Sequence, residues 1–250
     1  VDTSAGTLRM TCDDFYVIYN DTMPACQFLG EWKNILFGFN GNDYYFSPVA
    51  APDEYDVLAT DEFKSYGEAV GGVGNFFNQL TIGTDTHVFT MSGDPQGQTY
   101  PAYLFGINEV TNRFGISSHR SIVRGEYQGQ DGLLWLWKQQ VCFYNGTSVK
   151  KISYALDTYL NTLDEANEQF CVGDKFLEKN QIWWTWRREG QSANDRVFKY
   201  DLQWNAFLPV TGLTTPTVYR TTSSGAAAFL TVVESSRRLY RQNHASNLTF

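Results

Sequence analysis

The stretch DGLLWLWKQQVCFYNGTSVKKIS, residues 131–153, constrains the fold more than any other part of the chain. Successive side chains of a strand point to opposite faces, so Leu134 and Leu136 share one face while Leu133, Trp135 and Trp137 share the other. An apolar run of this length on both faces must be covered on both sides, which predicts a sheet packed between two neighbours. The next run, VCFYNG, ends at Asn145–Gly146, a strong signal for a tight hairpin turn. TSVKKIS then reads as a third strand.

The same unit recurs along the chain: an apolar run, a polar turn, then a second run of aromatic and β-branched residues. Copies are WKNILFGFNGNDYYFSP (32–48), FFNQLTIGTDTHVFTMSG (76–93), KNQIWWTWRREGQSANDRVFKYDLQWNAF (179–207) and AAAFLTVVESSRRLYRQN (226–243). Their starts are roughly 40–55 residues apart, the spacing of four-stranded propeller blades. The copy at 179–207 predicts strands at 181–187, 196–201 and 204–210, with Asp201 and Asn205 bracketing the last turn. Such sharp turns leave little room for a parallel crossover, which argues against an α/β fold. The expectation is an all-β chain, one domain over residues 1–250, built as a β-propeller of about five antiparallel meander blades, alternatively six. The run GTLRMTCDDFYVIYND (6–21) holds two strand-like pieces, expected to close the ring by pairing with the last blade and so remove exposed edges. GGVGN (71–75) reads as a loop between blades. Against this background Leu156, Tyr159, Leu160 and Leu163 follow helical spacing, predicting one inserted helix of about three turns near 154–169, with Ser153 as its cap.

Chemistry is sparse. The net charge of −8 and pI of about 4.9 supply no general attraction to nucleic acid or anionic membranes. The local basic clusters, Arg187–Arg188 and Arg237, Arg238 and Arg241, read as solvated strand edges, with contact to phosphate or to an acidic neighbouring subunit as the alternative. No run approaches the roughly 18 apolar residues of a membrane span. The first residue is Val instead of Met, which allows for a longer product. Cys12, Cys26, Cys142 and Cys171 include no C-x-x-C pair and read as structural thiols. Of the sequons at Asn20, Asn145 and Asn247, the one at Asn145 is better explained by its turn. His87, His119 and His244 lack the close His or Cys neighbours of zinc sites, and His119 is expected to satisfy a loop carbonyl. Nucleophile-elbow, P-loop, dinucleotide and calcium-loop motifs are absent from the sequence.

The acids Asp43, Asp53, Glu54, Asp61, Asp85, Asp94, Asp131, Asp174 and Asp195 mostly neighbour turn residues, where Asp is favoured for backbone reasons. Trp135, Trp137, Trp183, Trp184 and Trp186 lie within strand runs and are expected in the core. No catalytic residue, no cofactor-binding residue, no metal ligand and no cofactor is assigned.

One resemblance emerges from the order of the segments. WKNILFGFNGNDYYFSPVAAPDEYD, LTIGTDTHVFTMSGDP, FGISSHRSIV, DGLLWLWKQQVCFYNGTSVKKIS and IWWTWRREGQSANDRVFKYDLQWNAFLPV follow one another over residues 30–210. In this order they resemble the β-propeller structural proteins of tailed bacteriophages, found at the neck, tail nozzle or tail hub. Phe207 stands where that family's last motif closes on Trp, and the chain after Gly212 matches only generally. The resemblance implies a virion protein without catalysis, assembled in the bacterial host cytoplasm into a ring of its own copies with other tail or neck proteins. Rings of this family are commonly sixfold and pass the genome, so transient contact with genomic DNA is implied, and an acidic lumen would keep DNA from sticking. Segments 50–72, 93–101 and the 154–169 helix are the expected contact surfaces. Two competing readings remain: a tail-tip receptor or glycan-binding propeller using loop aromatics such as Tyr66 or Tyr100, and a glycan-degrading enzyme, which needs a carboxylate pair in one cleft.

Overall fold

The structure, a computed structural model, describes residues 2–3, 6–11, 14–18, 21–63, 67–210, 217–223, 226–233 and 238–241, with side chains for 21–63 and 67–210. Strands dominate, arranged as six successive antiparallel meanders. The first has three strands: β1 Asp2–Thr3, β2 Gly6–Thr11 and β3 Asp14–Ile18. Four four-stranded sheets follow. The second sheet holds β4 Phe28–Trp32, β5 Ile35–Asn40, β6 Asp43–Phe46 and β7 Thr60–Glu62. The third holds β8 Gly72–Phe76, β9 Gln79–Gly83, β10 Val88–Ser92 and β11 Gly106–Thr111.

In the fourth are β12 Val123–Tyr127, β13 Gln130–Trp137, β14 Gln140–Tyr144 and β15 Val149–Lys151. The fifth comprises β16 Val172–Phe176, β17 Gln181–Trp186, β18 Arg196–Asp201 and β19 Ala206–Val210. The last has three strands, β20 Thr217–Ser223, β21 Ala226–Val233 and β22 Arg238–Arg241. The sheets do not close into a single barrel: strand pairing among the described residues stays within each meander.

Both faces of the central sheets are buried, as the alternation of β13 requires. Leu133, Trp135 and Trp137 pack with Phe76, Val88 and Ile116, between the third and fourth sheets. Leu134 and Leu136 pack with Ile182, Trp184 and Trp186, between the fourth and fifth. A further aromatic core, including Phe37, Phe39, Phe46, Leu80, Ile82 and Phe89, joins the second sheet to the third. All five tryptophans assigned to strand runs are buried. Four of them tie a second strand to a neighbouring connection: Trp135 and Trp137 donate to the Gly115 and Asp85 carbonyls (2.7 and 2.6 Å), Trp184 and Trp186 to those of Ser121 and Asp164 (2.9 and 3.1 Å). Each indole thus buries its ring and still satisfies its one donor.

The tight turns follow the chain's chemistry. Asn145 Oδ1 accepts from the Thr147 and Ser148 amides (3.1 and 2.9 Å), forming the turn between β14 and β15. Asp201 Oδ1 accepts from the Gln203 and Trp204 amides at 3.1 Å, and Asn205 takes φ 49° at the other end of that turn.

Three sequence expectations are corrected. GGVGN is not a loop, because Gly72–Phe76 is the first strand of the third sheet. Glycine is required there by close approach: a Cβ on Gly74 would stand 2.9 Å from Ile122 Cγ2, and one on Gly72 2.9 Å from the His119 Cα. Gly30 in β4 and Gly125 in β12 face the next sheet in the same way, toward Val73 and Ile182.

The three-turn helix is the second correction. Residues 154–170 form a 3₁₀ turn at Tyr154–Leu156, one α-helical turn at Asp157–Leu160 and 3₁₀ structure at Glu165–Phe170. Leu156, Leu160 and Leu163 reach the core as their spacing requires, but the chain leaves the helix to pair Leu163 with Arg188 and the Asp164 amide with the Arg187 carbonyl (2.9 Å). Ser153 caps nothing. Its Oγ accepts instead from the Val141 amide at 3.0 Å, fully buried. Ser153→Ala is therefore expected to cost about 1–2 kcal/mol by orphaning a buried amide, read as a lower denaturant midpoint.

Third, the leftover runs at the two ends do not share a blade. β2 pairs locally with β1 on one side and β3 on the other, using both of its edges, and β20–β22 form a separate sheet.

Candidate functional site

The first strands of successive sheets come together. β4 lies against β8, β12 against β16 and β16 against β20, while the short 3₁₀ turn His119–Ser121 sits between β8 and β16. Two contiguous cavities of about 440 and 400 Å³ open along these strands. Both are lined by Ile122, Arg124, Gly173 and Asp174. The larger extends to Asn75, His119 and Arg120, the smaller to Asp131 and Lys175.

The cleft thus combines apolar walls, including Val73 and Leu133, with side chains of both charges. The Arg124 guanidinium lies 5.8 and 5.6 Å from the centres of the Phe76 and Phe77 rings. Asn75 Nδ2 donates to the Glu31 carbonyl at 3.0 Å, bridging the first strands of two sheets. His119 Nδ1 accepts from the Val73 amide at 3.2 Å, so this histidine satisfies a backbone donor where a carbonyl was expected. Burial lowers its pKa below 6.5, outweighing the Val73 bond that raises it, with neighbouring Arg120 adding to the lowering.

Of the sequence's candidate acids, Asp131 and Asp174 are brought to this one cleft. Others are engaged elsewhere. Asp61 accepts from the Tyr44 hydroxyl (3.2 Å), Asp85 pairs with Lys138 (3.4 Å), Asp94 with Lys33 (3.7 Å) and Asp195 with Arg188 (2.6 Å). Arg187 donates to Asn167 Oδ1 at 3.0 Å, so the Arg187–Arg188 cluster binds its own chain. Asp43 opens β6 at the surface, and Asp53 and Glu54 lie in the loop before β7.

His87 approaches Glu68 Oε2 at 3.2 Å. The Glu68 carboxylate also accepts from the Thr84 and Thr86 hydroxyls, each at 2.6 Å, and from the Thr86 amide at 3.0 Å. Burial pushes this carboxyl up, yet these bonds outweigh it and hold the pKa at about 2.

Cys142 and Cys171 are buried free thiols, their pKa raised by burial, and Cys26 is half-buried with its thiol toward the Pro24 carbonyl. Among the described residues no three metal-ligating side chains converge. Cys12, Tyr66, His244, Asn20, Asn247 and Arg237 lie outside the described residues, as do the side chains of Arg238 and Arg241.

The long loops 50–59 and 93–105 form one packed end. The buried Tyr100 hydroxyl accepts from the Asp56 amide at 2.8 Å and donates to the Phe46 carbonyl at 3.2 Å, and the Tyr103 hydroxyl meets the Val49 amide at 3.4 Å. Tyr100 is 9% exposed, so it pins loops together and offers no face for stacking on a ligand. Tyr100→Phe is expected to cost about 1–2 kcal/mol and to speed hydrogen exchange at the Asp56 amide. Unchanged exchange there would mean that the loops are held by other contacts. Val57, Leu58 and Leu104 remain exposed on these loops.

The sequence pointed to Asp131, Asp174 and His119 singly but not to their meeting place. Arg120, Arg124 and Lys175 were missed. The available signal was the recurrence of glycine in β4, β8, β12 and β16, which marks the strands that approach most closely.

Neither a protein-family model nor any curated protein matches this chain.

Proposed function

We propose that this protein is a β-propeller structural component of a tailed-bacteriophage neck or tail, of the nozzle or adaptor kind, assembling with its own copies and with other tail proteins. The single observation that carries the reading is the register between motif order and fold. Four of the five segments of the resemblance fall on four successive meander sheets and the fifth, FGISSHRSIV, on the connection between the third and fourth, and the cores between these sheets pack them face to face. On this reading the six meanders are six blades, the alternative count. The working principle is geometric: doubly buried sheets make a stiff platform, and the loop end that Tyr100 pins presents Val57, Leu58 and Leu104 to neighbours. No chemical step is assigned. Among the described residues no helix is long and apolar enough to cross a membrane.

Immunogold electron microscopy with antibody against this chain tests the proposal on intact and partly disrupted phage particles. Label at the neck or tail is the expected result. Particles that carry no label in either preparation would overturn it.

A further inference from the structure

The sheets from the second to the sixth each run in order from first strand to last, which makes β7, β11, β15, β19 and β22 edges with one side unpaired among the described residues. Such an edge invites another chain unless something blunts or occupies it. Three of the five are blunted. β11 shifts register against Val88 and Phe89, skipping Val110. The lysines of β15 are already engaged, Lys151 with Asp157 at 2.8 Å and Lys150 over the Tyr127 ring at 4.5 Å. β19 carries Pro209.

β7 and β22 differ from these, and their charges are opposite. β7 is exposed along its whole length. Residues 53–62, DEYDVLATDE, hold five carboxylates and no cation. No ion pair among the described side chains includes any of the five. The groups that bond to Asp61 and Asp56, namely the Tyr44 hydroxyl and the Glu62 and Leu58 amides, are neutral and leave the charge standing. Asp43 lies directly opposite Glu62 in register, a like-charge pair that is destabilising until a cation approaches. Val57 and Leu58, 62% and 73% exposed, add an apolar knob to the same segment. β22, in contrast, reads RLYR, with two arginines and no acid. Like charge keeps β7 from pairing with β7 and β22 with β22, so each edge is open only to the opposite sign.

We propose that the β7 edge of one copy docks on the β22 edge of a second copy, the carboxylates of residues 53–62 meeting Arg238 and Arg241. The contact joins two different patches, so every copy in a row keeps one free edge of each kind, and the row becomes a ring where the rotation closes. The inference rests on the self-assembly in the reading above and names the surfaces that carry it.

Sedimentation velocity on the full chain over a range of concentrations tests it. Wild type should associate. Asp53→Lys/Glu62→Lys reverses the acidic edge at two exposed positions, and Arg238→Glu/Arg241→Glu reverses the basic one. Each variant alone should associate at least about tenfold more weakly. Mixed together they should associate again, because each supplies the edge that the other has lost, and this recovery also shows that both variants are folded. Lys150→Glu, on the engaged β15 edge, should behave as wild type. A wild type that stays monomeric overturns the proposal together with the self-assembly it rests on. Association indifferent to both reversals overturns the edge contact and leaves self-assembly standing. A mixture that fails to re-associate overturns the pairing of these two edges, and dissociation by Lys150→Glu but not by the β22 variant would move the contact to β15 and overturn it as well.

Discussion

Trp184→Ala is expected to lower unfolding stability by about 3–5 kcal/mol, the range for deleting a large aromatic side chain from a packed core. Trp184 is fully buried between the fourth and fifth sheets, stacked on Phe198 with centroids 5.5 Å apart. Its indole N–H is the donor to the Ser121 carbonyl, so truncation opens a cavity and also removes a hydrogen-bond partner. The space cannot easily refill. A Cβ on Gly173 would already stand 2.4 Å from the indole Cδ1, so the β16 backbone packs directly against this ring. Trp184→Phe keeps an aromatic ring and loses the donor, and should cost less, about 1–3 kcal/mol. Urea titration checks both as a fall in midpoint at unchanged m-value. A loss under about 1 kcal/mol for the alanine variant would mean that the two sheets do not share this core.

The second large effect belongs to Glu68. Its carboxylate joins the segment before β8 to the Thr84–His87 turn through bonds from Thr84, Thr86 and His87. Glu68→Gln keeps the shape but replaces an acceptor-only group with one that carries two donors, facing hydroxyls that both donated to it. The expected loss near pH 7 is about 2 kcal/mol, the middle of the range for hydrogen bonds to a charged group. Its pH dependence has a definite sign. The folded pKa of about 2 lies below the ordinary 4.5, so the stabilisation is fully present above 4.5 and is lost as pH falls through the folded value. The stability difference between wild type and Glu68→Gln should therefore shrink between pH 4.5 and pH 2. Subtracting the two proteins removes the common contributions of His119, whose lowered pKa weakens the fold below about 6.5, and of Glu168, whose pKa burial raises. A difference that stays constant across that window would show that the carboxylate charge is not what holds the turn.

Much of the architecture is legible in the chain because alternation is a local property. LLWLW and IWWTW each declare a strand buried on both faces, and the structure covers both. Asn145–Gly146 and Asp201–Asn205 declare turns, because their side chains and permitted φ values serve the backbone within a few residues. Periodicity also located the buried side chains of residues 156–163, although it misjudged their backbone: Leu156, Leu160 and Leu163 can reach one core from a broken turn as well as from a helix.

What the chain by itself determined, then, is the meander unit, its repetition and the burial of its tryptophans, all set by neighbours two to ten residues apart. Tertiary structure alone decided the rest. GGVGN becomes a strand because Ile116, His119 and Ile122, more than forty residues away in sequence, press on positions where a Cβ would collide. Arg120, Arg124, Asp131 and Asp174 share a cleft because the first strands of separate sheets converge. Neither outcome has a local signature, since both depend on which sheet face meets which, and that is settled only when the long-range cores assemble.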